Sequence, residues 1–390
     1  MSDKMKKTVE RLFAMAGIEV DGKNPWDIKV HDPRFYRRVL SDGILGIGES
    51  YMDGDWDCEQ LDEAVNRAFH SDLYNRMTEL SWHDKLQGLQ ARLMNMQSKR
   101  RSHEVGQAHY DNGNELYEAM LGKRMVYSCG YWRAGAHNLD EAQEAKLDLV
   151  CRKVGLKESE TVLDIGSGWG SFLIYAAEKY GIKGTGLTVS KEQKALANEK
   201  SEGLSVETLI QDYREPILDA GGSPRLFDHI VSIGMVEHVG PKNYRIFMEV
   251  VDKHLKPGGL FLLHVIGQPT SVQTNDPWTH KYIFPNSQAP SMTQLAEASE
   301  GIFHIEDIHT FGTDYEPTLL AWHKNFNDNW DTLKEFRNED GSSKYDDRFF
   351  RMWNYYLLGA TGLARSQKAD LWQIVFSRGD IPGGYRAIRL

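Results

Sequence analysis

The chain has 390 residues, a formal net charge of −10, and 41% hydrophobic and 26% charged residues; that is enough for one large and one small globular domain, and the acidic balance argues against nucleic acid, whose phosphates need a basic surface. No run of about 18 apolar residues is present to span a bilayer, and the opening Met1-Ser-Asp-Lys-Met-Lys-Lys has no apolar signal core behind it, so a cytoplasmic location is expected. Three scattered cysteines, Cys58, Cys129 and Cys151, make neither a disulfide framework nor a metal cluster, and no metal site is expected.

The first hundred residues read as a small helical N-terminal domain, with residues 101–390 forming the main domain. Lys7 to Ala16 places Val9, Leu12, Phe13 and Ala16 on one helical stripe. Asp32-Pro-Arg starts a second helix with Phe35, Val39 and Leu40 inward, and Gly43, Gly46, Gly48 and Gly54 are expected to break the chain beyond it into turns. From Trp82 to Arg101, Leu86, Leu89, Leu93 and Met96 recur at helical spacing, flanked by Lys85, Arg92 and Lys99. This amphipathic helix suits packing on the main domain or on a partner subunit, with membrane contact as the second reading.

From about Val105 onwards, helix and strand alternate. Strands are expected at Thr161–Ile165, Lys183–Leu187, Ser205–Ile210, Asp228–Ile233, Leu260–Ile266, His304–Phe311 and Trp372–Ser377. Helices are expected at Ser171–Lys179, Ser190–Lys200 and Tyr244–Leu255. Such alternation predicts an α/β fold with a doubly wound, mostly parallel, seven-stranded Rossmann-like sheet.

The sharpest local signal is Val162-Leu-Asp-Ile-Gly-Ser-Gly-Trp-Gly170, a strand running into a glycine loop and then a helix. Gly166, Gly168 and Gly170 let the backbone turn tightly and approach a ligand at the helix amino end. The G-x-G-x-G spacing differs from the dinucleotide fingerprint, and Asp164 would repel a pyrophosphate; a cationic sulfonium ligand with an amino group meets no such objection. S-adenosylmethionine is therefore the expected cofactor and the sheet is of the methyltransferase type. Thr188 and Gln193, after the second strand, offer neutral hydrogen bonds where many methyltransferases place an acidic residue for the ribose. Gln211 and Asp212, after the third strand, are placed to meet the adenine.

Several further segments narrow the class: Gly48-Glu-Ser-Tyr-Met-Asp-Gly54, His109-Tyr-Asp-Asn-Gly-Asn-Glu-Leu-Tyr117, Tyr127-Ser-Cys-Gly-Tyr-Trp132, Glu237-His-Val-Gly-Pro-Lys-Asn-Tyr244, Lys281-Tyr-Ile-Phe-Pro-Asn286 and Leu371-Trp-Gln-Ile-Val-Phe-Ser-Arg378. On these the chain resembles the cyclopropane-fatty-acyl-phospholipid synthases over nearly its whole length. The resemblance implies attack of a cis double bond, in an acyl chain of an intact membrane phospholipid, on the cofactor's methyl carbon. Loss of a proton to a base, in this family a bound bicarbonate ion or its holder, then closes the ring. An alkene is a poor nucleophile, so such a site contributes placement and charge stabilisation.

Carried over position by position, the resemblance implies a bicarbonate site of Cys129, Glu237, His264, Ile266 and Tyr315. Cys129 and Ile266 would give backbone N–H groups, His264 and Tyr315 would share hydrogen bonds with the anion, and Glu237 would orient its basic oxygen. Tyr127 and Ser128 would join the cofactor site. Some relatives carry a cysteine in the late helix where this chain has Ala360, which removes a thiolate mechanism there. The resemblance further implies a homodimer, and the expected contact is peripheral, on the inner membrane face, through Lys85–Arg101 or the small domain. The long connection Gln268–Gly301, with Trp278, Tyr282, Ile283 and Phe284, is expected to help form an apolar tunnel for the acyl chain, against ordinary core packing. The competing readings are a small-molecule N- or C-methyltransferase, a membrane-associated scaffold without turnover, and an NAD enzyme.

Overall fold

The structure, a computed structural model, describes residues 3–80, 113–271 and 276–389. The amphipathic stretch expected from Trp82 to Arg101 and residues 109–112 of the His109 motif lie outside that set. The chain forms two compact units, one of Met1–Met94, Gln273–Pro285 and Tyr315–Ala369, the other of Asn95–Val272, Asn286–Asp314 and Asp370–Leu390. The helical unit is thus not the contiguous N-terminal block expected from the sequence but takes in two later segments.

Its first helix, Asp3–Ala14, buries Val9 and Phe13, two members of the expected stripe. A two-residue antiparallel ladder comes next, β1 (Lys29–Val30) against β2 (Trp56–Asp57). The second helix runs from Arg34 to Met52 and passes through most of the glycines expected to break it. Only Gly43 leaves helical geometry, at φ 54° and ψ −127°. Gly46 and Gly48 serve close approach instead. A Cβ on Gly46 would stand 2.1 Å from the Arg38 carbonyl oxygen, and one on Gly48 would stand 2.2 Å from Trp278 Cδ1.

The later segments join this unit through packing that no local pattern encodes. The helix Asp347–Ser366 buries Trp353, Tyr356 and Leu357 and crosses the helix Leu61–His70 at Gly362, where a Cβ would meet the Asp62 carbonyl oxygen at 2.4 Å. Arg351 Nη2 donates to the Trp56 carbonyl at 2.8 Å and to Asp57 Oδ1 at 2.7 Å, tying that helix to β2.

Trp278, expected along an acyl tunnel, is 2% exposed and belongs to the core of this unit. It fills the notch left by Gly48, lies 4.6 Å from the Tyr355 ring, and directs Nε1 at Met52 Sδ, 3.3 Å away. Phe284 packs edge-on against Tyr356, with ring centroids 5.8 Å apart. Trp278→Ala is accordingly expected to destabilise the protein by about 3–5 kcal/mol, the usual cost of deleting a buried aromatic. Urea unfolding reads this directly, and a cost below about 1 kcal/mol would show the ring to be dispensable to the core.

The second unit holds a seven-stranded sheet. Its members are β3 (Thr161–Ile165), β4 (Lys183–Thr188), β5 (Val206–Ile210), β6 (Phe227–Ile233), β7 (Leu255–Gly267), β8 (His304–Thr310) and β9 (Asp370–Ser377). The order is β5-β4-β3-β6-β7-β9-β8. The pairs from β5 through to β7 are parallel, and β9 runs antiparallel between β7 and β8. The expected strands appear within a few residues of their sequence limits, β7 being longer because it takes in Leu255-Lys-Pro-Gly-Gly259.

Alternation along the strands separates two buried faces. Leu163, Ile165, Ile230, Leu263, Val265, Ile374 and Phe376 pack to one side. Val162, Val231, Leu262 and Val375 face the other, against the helices Leu139–Val154 and Ser171–Tyr180. Among the described residues no helix is long and apolar enough to cross a membrane.

Candidate functional site

The site grows from the place where that second face stops being apolar. Asp164 lies in register with Val231, and Val231 with Leu262. One pleat further towards the carboxyl ends of the parallel strands, Ile233 pairs with His264, His264 with Gln373, and Gln373 with His309. A buried polar row therefore replaces aliphatic side chains at the end of the sheet where ligands gather in open α/β folds.

The glycine loop opens from β3. Gly166, Gly168 and Gly170 have φ of 86°, 54° and 77°, in the left-handed region where a side chain is strained. A Cβ on Gly166 would also meet Met235 Cγ at 2.6 Å. The Gly166 and Ser167 N–H groups donate to the Leu187 carbonyl at 3.1 and 2.8 Å, folding the loop back over β4.

Thr188 does not stand ready on its own: its hydroxyl donates to Gln193 Oε1 at 2.7 Å. That bond aims the Gln193 amide towards the loop, and Gln193 Nε2 is buried with no hydrogen-bond partner among the described residues. Both Asp212 oxygens accept from the Arg214 guanidinium, at 2.7 and 2.6 Å, and Gln211 Nε2 donates to the Glu215 carbonyl at 2.9 Å. Tyr127 stacks edge-on with Tyr117, whose ring in turn lies 4.9 Å from Trp169.

Asp164 is 2% exposed, its Oδ1 has no partner among the described residues, and burial holds its carboxyl far above the ordinary range, with the Lys146 ammonium opposing the shift. Buried carboxylates of this kind are expensive unless a ligand completes them.

Glu237 sits on a short 3-10 turn, Val236–His238, after β6. Gly234, at φ 67°, lets the chain leave β6 while its N–H still donates to the His264 carbonyl at 2.9 Å. Glu237 Oε1 accepts from the Ile266 N–H at 2.8 Å. Ile266 thus anchors Glu237, in place of offering its N–H to a separate anion. Glu237 Oε2 is buried without a partner among the described residues, and desolvation pushes the carboxyl up to about 7.

His264 is 1% exposed, with Nδ1 3.3 Å from the Gln373 side-chain amide and with Nε2 lacking a partner among the described residues. Burial first, then the charges of Lys146 and Lys153, drive its pKa well down, so the ring is neutral. The Gln373 amide thus holds the ring at Nδ1, and Nε2 is the nitrogen left for a ligand. Cys129 is fully buried, its Sγ 3.2 Å from the Gly130 carbonyl oxygen.

Tyr315 opens the helix Tyr315–Asp328 in the other unit, so it is placed by a different core from Glu237, His264 and Ile266. Ala360 lies within the helix Asp347–Ser366 of that same unit.

Three polar residues that sequence reading passed over belong to this neighbourhood. Gln143 and Lys146 face inward from the helix Leu139–Val154, and Gln373 stands in β9 beside His264. The signal was available for Gln373, a lone polar residue in the apolar run Leu371-Trp-Gln-Ile-Val-Phe376. It was poor for the other two, because Glu141-Ala-Gln-Glu-Ala-Lys146 reads as a solvated helix face.

Residues 97–374 match the family model described as mycolic acid cyclopropane synthetase. The chain belongs to that family. It is 45% identical over 387 residues to a cyclopropane-fatty-acyl-phospholipid synthase of Escherichia coli (strain K12), covering 99% of this chain and 97% of the relative. Among solved structures, the mycolic acid cyclopropane synthase CmaA1 complexed with SAH and CTAB is 27% identical, with a TM-score of 0.61 over 70% of this chain and 97% of that one. Coclaurine N-methyltransferase bound to N-methylheliamine and SAH aligns over 86% of this chain and 99% of its own, at a TM-score of 0.70. Its 20% identity carries the shared fold alone. Family membership settles the class of enzyme as a methyltransferase.

Proposed function

We propose that this chain uses S-adenosylmethionine to convert the cis double bond of an unsaturated acyl chain in a membrane phospholipid into a cyclopropane ring, the released proton going to a bound bicarbonate. One observation carries the reading: among the described residues, two buried polar atoms near the carboxyl end of the sheet, Glu237 Oε2 and His264 Nε2, lack partners, as does Gln193 Nε2 near Gly168 of the glycine loop. The family and the name of the E. coli relative point the same way.

When bound, S-adenosylmethionine supplies an electrophilic methyl carbon that becomes the third corner of the ring once one of its protons has left. The chain's own residues hold and orient. Gly166, Gly168 and Gly170 let the backbone come close to the cofactor, Gln193 Nε2 offers a donor, and Asp164 Oδ1 offers an acceptor suited to a cationic group. Glu237 is a carboxyl held near 7 by burial, with one oxygen fixed by Ile266 and the other left to accept from a protonated anion. His264, a neutral ring, offers Nε2 to the same anion. Cys129 contributes through its backbone, and the family resemblance adds the Tyr315 hydroxyl to the set. A dry, preorganised site of this type keeps water from competing for a carbocation-like species.

The decisive experiment incubates labelled S-adenosylmethionine with vesicles of monounsaturated phospholipid and weighs the acyl chains. One added methylene and one fewer double bond are expected. A methyl group on a head-group or small-molecule nitrogen would overturn the reading in favour of an N-methyltransferase. The same reading has the chain meet the inner membrane face peripherally and pair as a homodimer. Flotation with vesicles and sedimentation check both points.

A further inference from the structure

The helix Leu139–Val154 buries three side chains that solvate well elsewhere, Gln143, Lys146 and Lys153. Lys153 has its explanation close by: Nζ lies 3.0 Å from His309 Nδ1 and 3.8 Å from Asp307 Oδ2, and Arg389 also pairs with Asp307. Lys146 has no such carboxylate bond. It is 0% exposed, and its Nζ donates to Ser128 Oγ at 2.8 Å.

An ammonium can only donate. When Lys146 is charged, Ser128 Oγ therefore spends a lone pair on it, and the hydroxyl proton is turned away from the helix. Ser128 is itself 5% exposed. Its position is fixed from the same helix, because Gln143 Nε2 donates to the Ser128 carbonyl at 2.8 Å and the Tyr131 N–H donates to the Ala142 carbonyl at 2.8 Å. One turn of helix thus clamps the segment carrying Tyr127, Ser128 and Cys129 and sets the polarity of its hydroxyl.

We propose that Lys146 is a positioning residue that makes the Ser128 hydroxyl an obligate donor to an oxyanion of carboxylate or carbonate type bound at the Ser128–Cys129 turn. The inference rests on the function proposed above. That set of residues otherwise brings an anion next to Glu237 without any cation, and a buried anion needs one. Lys146 is the buried lysine that holds the Ser128 hydroxyl, with Asp164 on β3, Cys129 on the clamped segment and His264 on β7 as the titratable groups around it. Burial lowers the Lys146 pKa to about 7. An oxyanion across the hydroxyl favours the charged form and draws a proton back on.

Two sources supply such an oxyanion: the amino-acid carboxylate of the cofactor and free bicarbonate. Calorimetry on the full chain with S-adenosylhomocysteine, and with its analogue lacking the carboxylate, separates them. If the cofactor is the source, Lys146→Met and Ser128→Ala each weaken S-adenosylhomocysteine by roughly tenfold, the size of one charge-assisted hydrogen bond, and leave the decarboxylated analogue unchanged. If bicarbonate is the source, S-adenosylhomocysteine binds as in the wild type, and the bicarbonate concentration for half-maximal turnover rises by roughly tenfold in both variants. In either case Lys146→Arg recovers part of the loss, and the proton taken up on binding above pH 7 disappears in Lys146→Met.

Unchanged binding and unchanged bicarbonate dependence in Lys146→Met overturn the proposal. So does equal weakening of both cofactor analogues with Ser128→Ala silent, which marks Lys146 as a packing residue only. Ser128→Ala leaves the buried ammonium in place, so it decides the question even if Lys146→Met folds poorly. Calorimetry stands apart from turnover, so a wild type that makes no ring would fail the functional reading without deciding this one.

Discussion

Glu237→Gln is expected to lower ring formation by roughly 10²–10⁴-fold, the usual contribution of a positioned acid–base group, while S-adenosylhomocysteine still binds. The substitution keeps size and shape, and the amide oxygen can still accept from the Ile266 N–H, which Glu237 Oε1 holds at 2.8 Å. What changes is the other end, where the buried, unpartnered Oε2 becomes an NH2 group that donates where the carboxylate accepted.

The pH dependence comes from the same burial. Desolvation pushes the Glu237 carboxyl up to about 7, from an ordinary value of 4.5. Turnover that needs the carboxylate therefore falls as pH drops through about 7, close to tenfold per unit well below it, and this limb is expected to vanish in Glu237→Gln. Stability runs the opposite way. A carboxyl whose folded pKa is raised favours the fold below the unfolded pKa, and that contribution is lost as pH rises through the folded one. Above pH 7 the glutamine variant should resist urea better than the wild type, by about 2–4 kcal/mol in the absence of ligand. Retention of full turnover in Glu237→Gln would sink the assignment.

A residue that costs the fold stability leaves a weaker trace in sequence than one that builds it. Strands β3, β4, β6 and β7 appeared at their expected places because buried parallel strands are written as short apolar runs between glycine turns, and the antiparallel β9 did so because it is buried between two neighbours. The glycine loop was equally plain, since left-handed φ at Gly166, Gly168 and Gly170 leaves few alternatives. Glu237 and His264 were reached only through resemblance. Taken singly, a buried glutamate and a buried histidine have many structural explanations, and what marks them is the unpartnered atom each carries.

Other features depended on distant chain and left no local trace. Gly46 and Gly48 suggested turns by composition, yet they are cut away to admit the Arg38 carbonyl and Trp278. Nothing within 315–369 announces that it will complete a core begun at residue 3, because an amphipathic helix such as Asp347–Ser366 specifies that it will be covered, not by what. Lys146 was hidden for the converse reason: a lysine on a helix is ordinarily a solvated residue, and only the fold shows it pointing inward.

Asp164→Asn is expected to weaken cofactor binding by roughly 10–100-fold near neutral pH, the value of a desolvated charge-assisted contact. Asp164 Oδ1 is buried without a partner at the mouth of the glycine loop, and its carboxyl is held up chiefly by burial, with Lys146 pulling it back down. A cationic group arriving beside it favours the carboxylate, so binding to the wild type releases a proton from whatever fraction is protonated and weakens as the solution is acidified. The asparagine variant should lose that dependence. It should also be the more stable protein without ligand, for the same reason as Glu237→Gln: a buried, raised carboxyl costs the fold more as pH rises. Titration calorimetry with S-adenosylhomocysteine across pH 6–8 reads the first effect and urea unfolding the second. Asp164→Asn differs from Glu237→Gln in where it acts, on cofactor affinity and not on turnover at saturation. Equal affinity of wild type and Asp164→Asn for S-adenosylhomocysteine at every pH would remove Asp164 from the cofactor site, whatever became of the ring-forming chemistry.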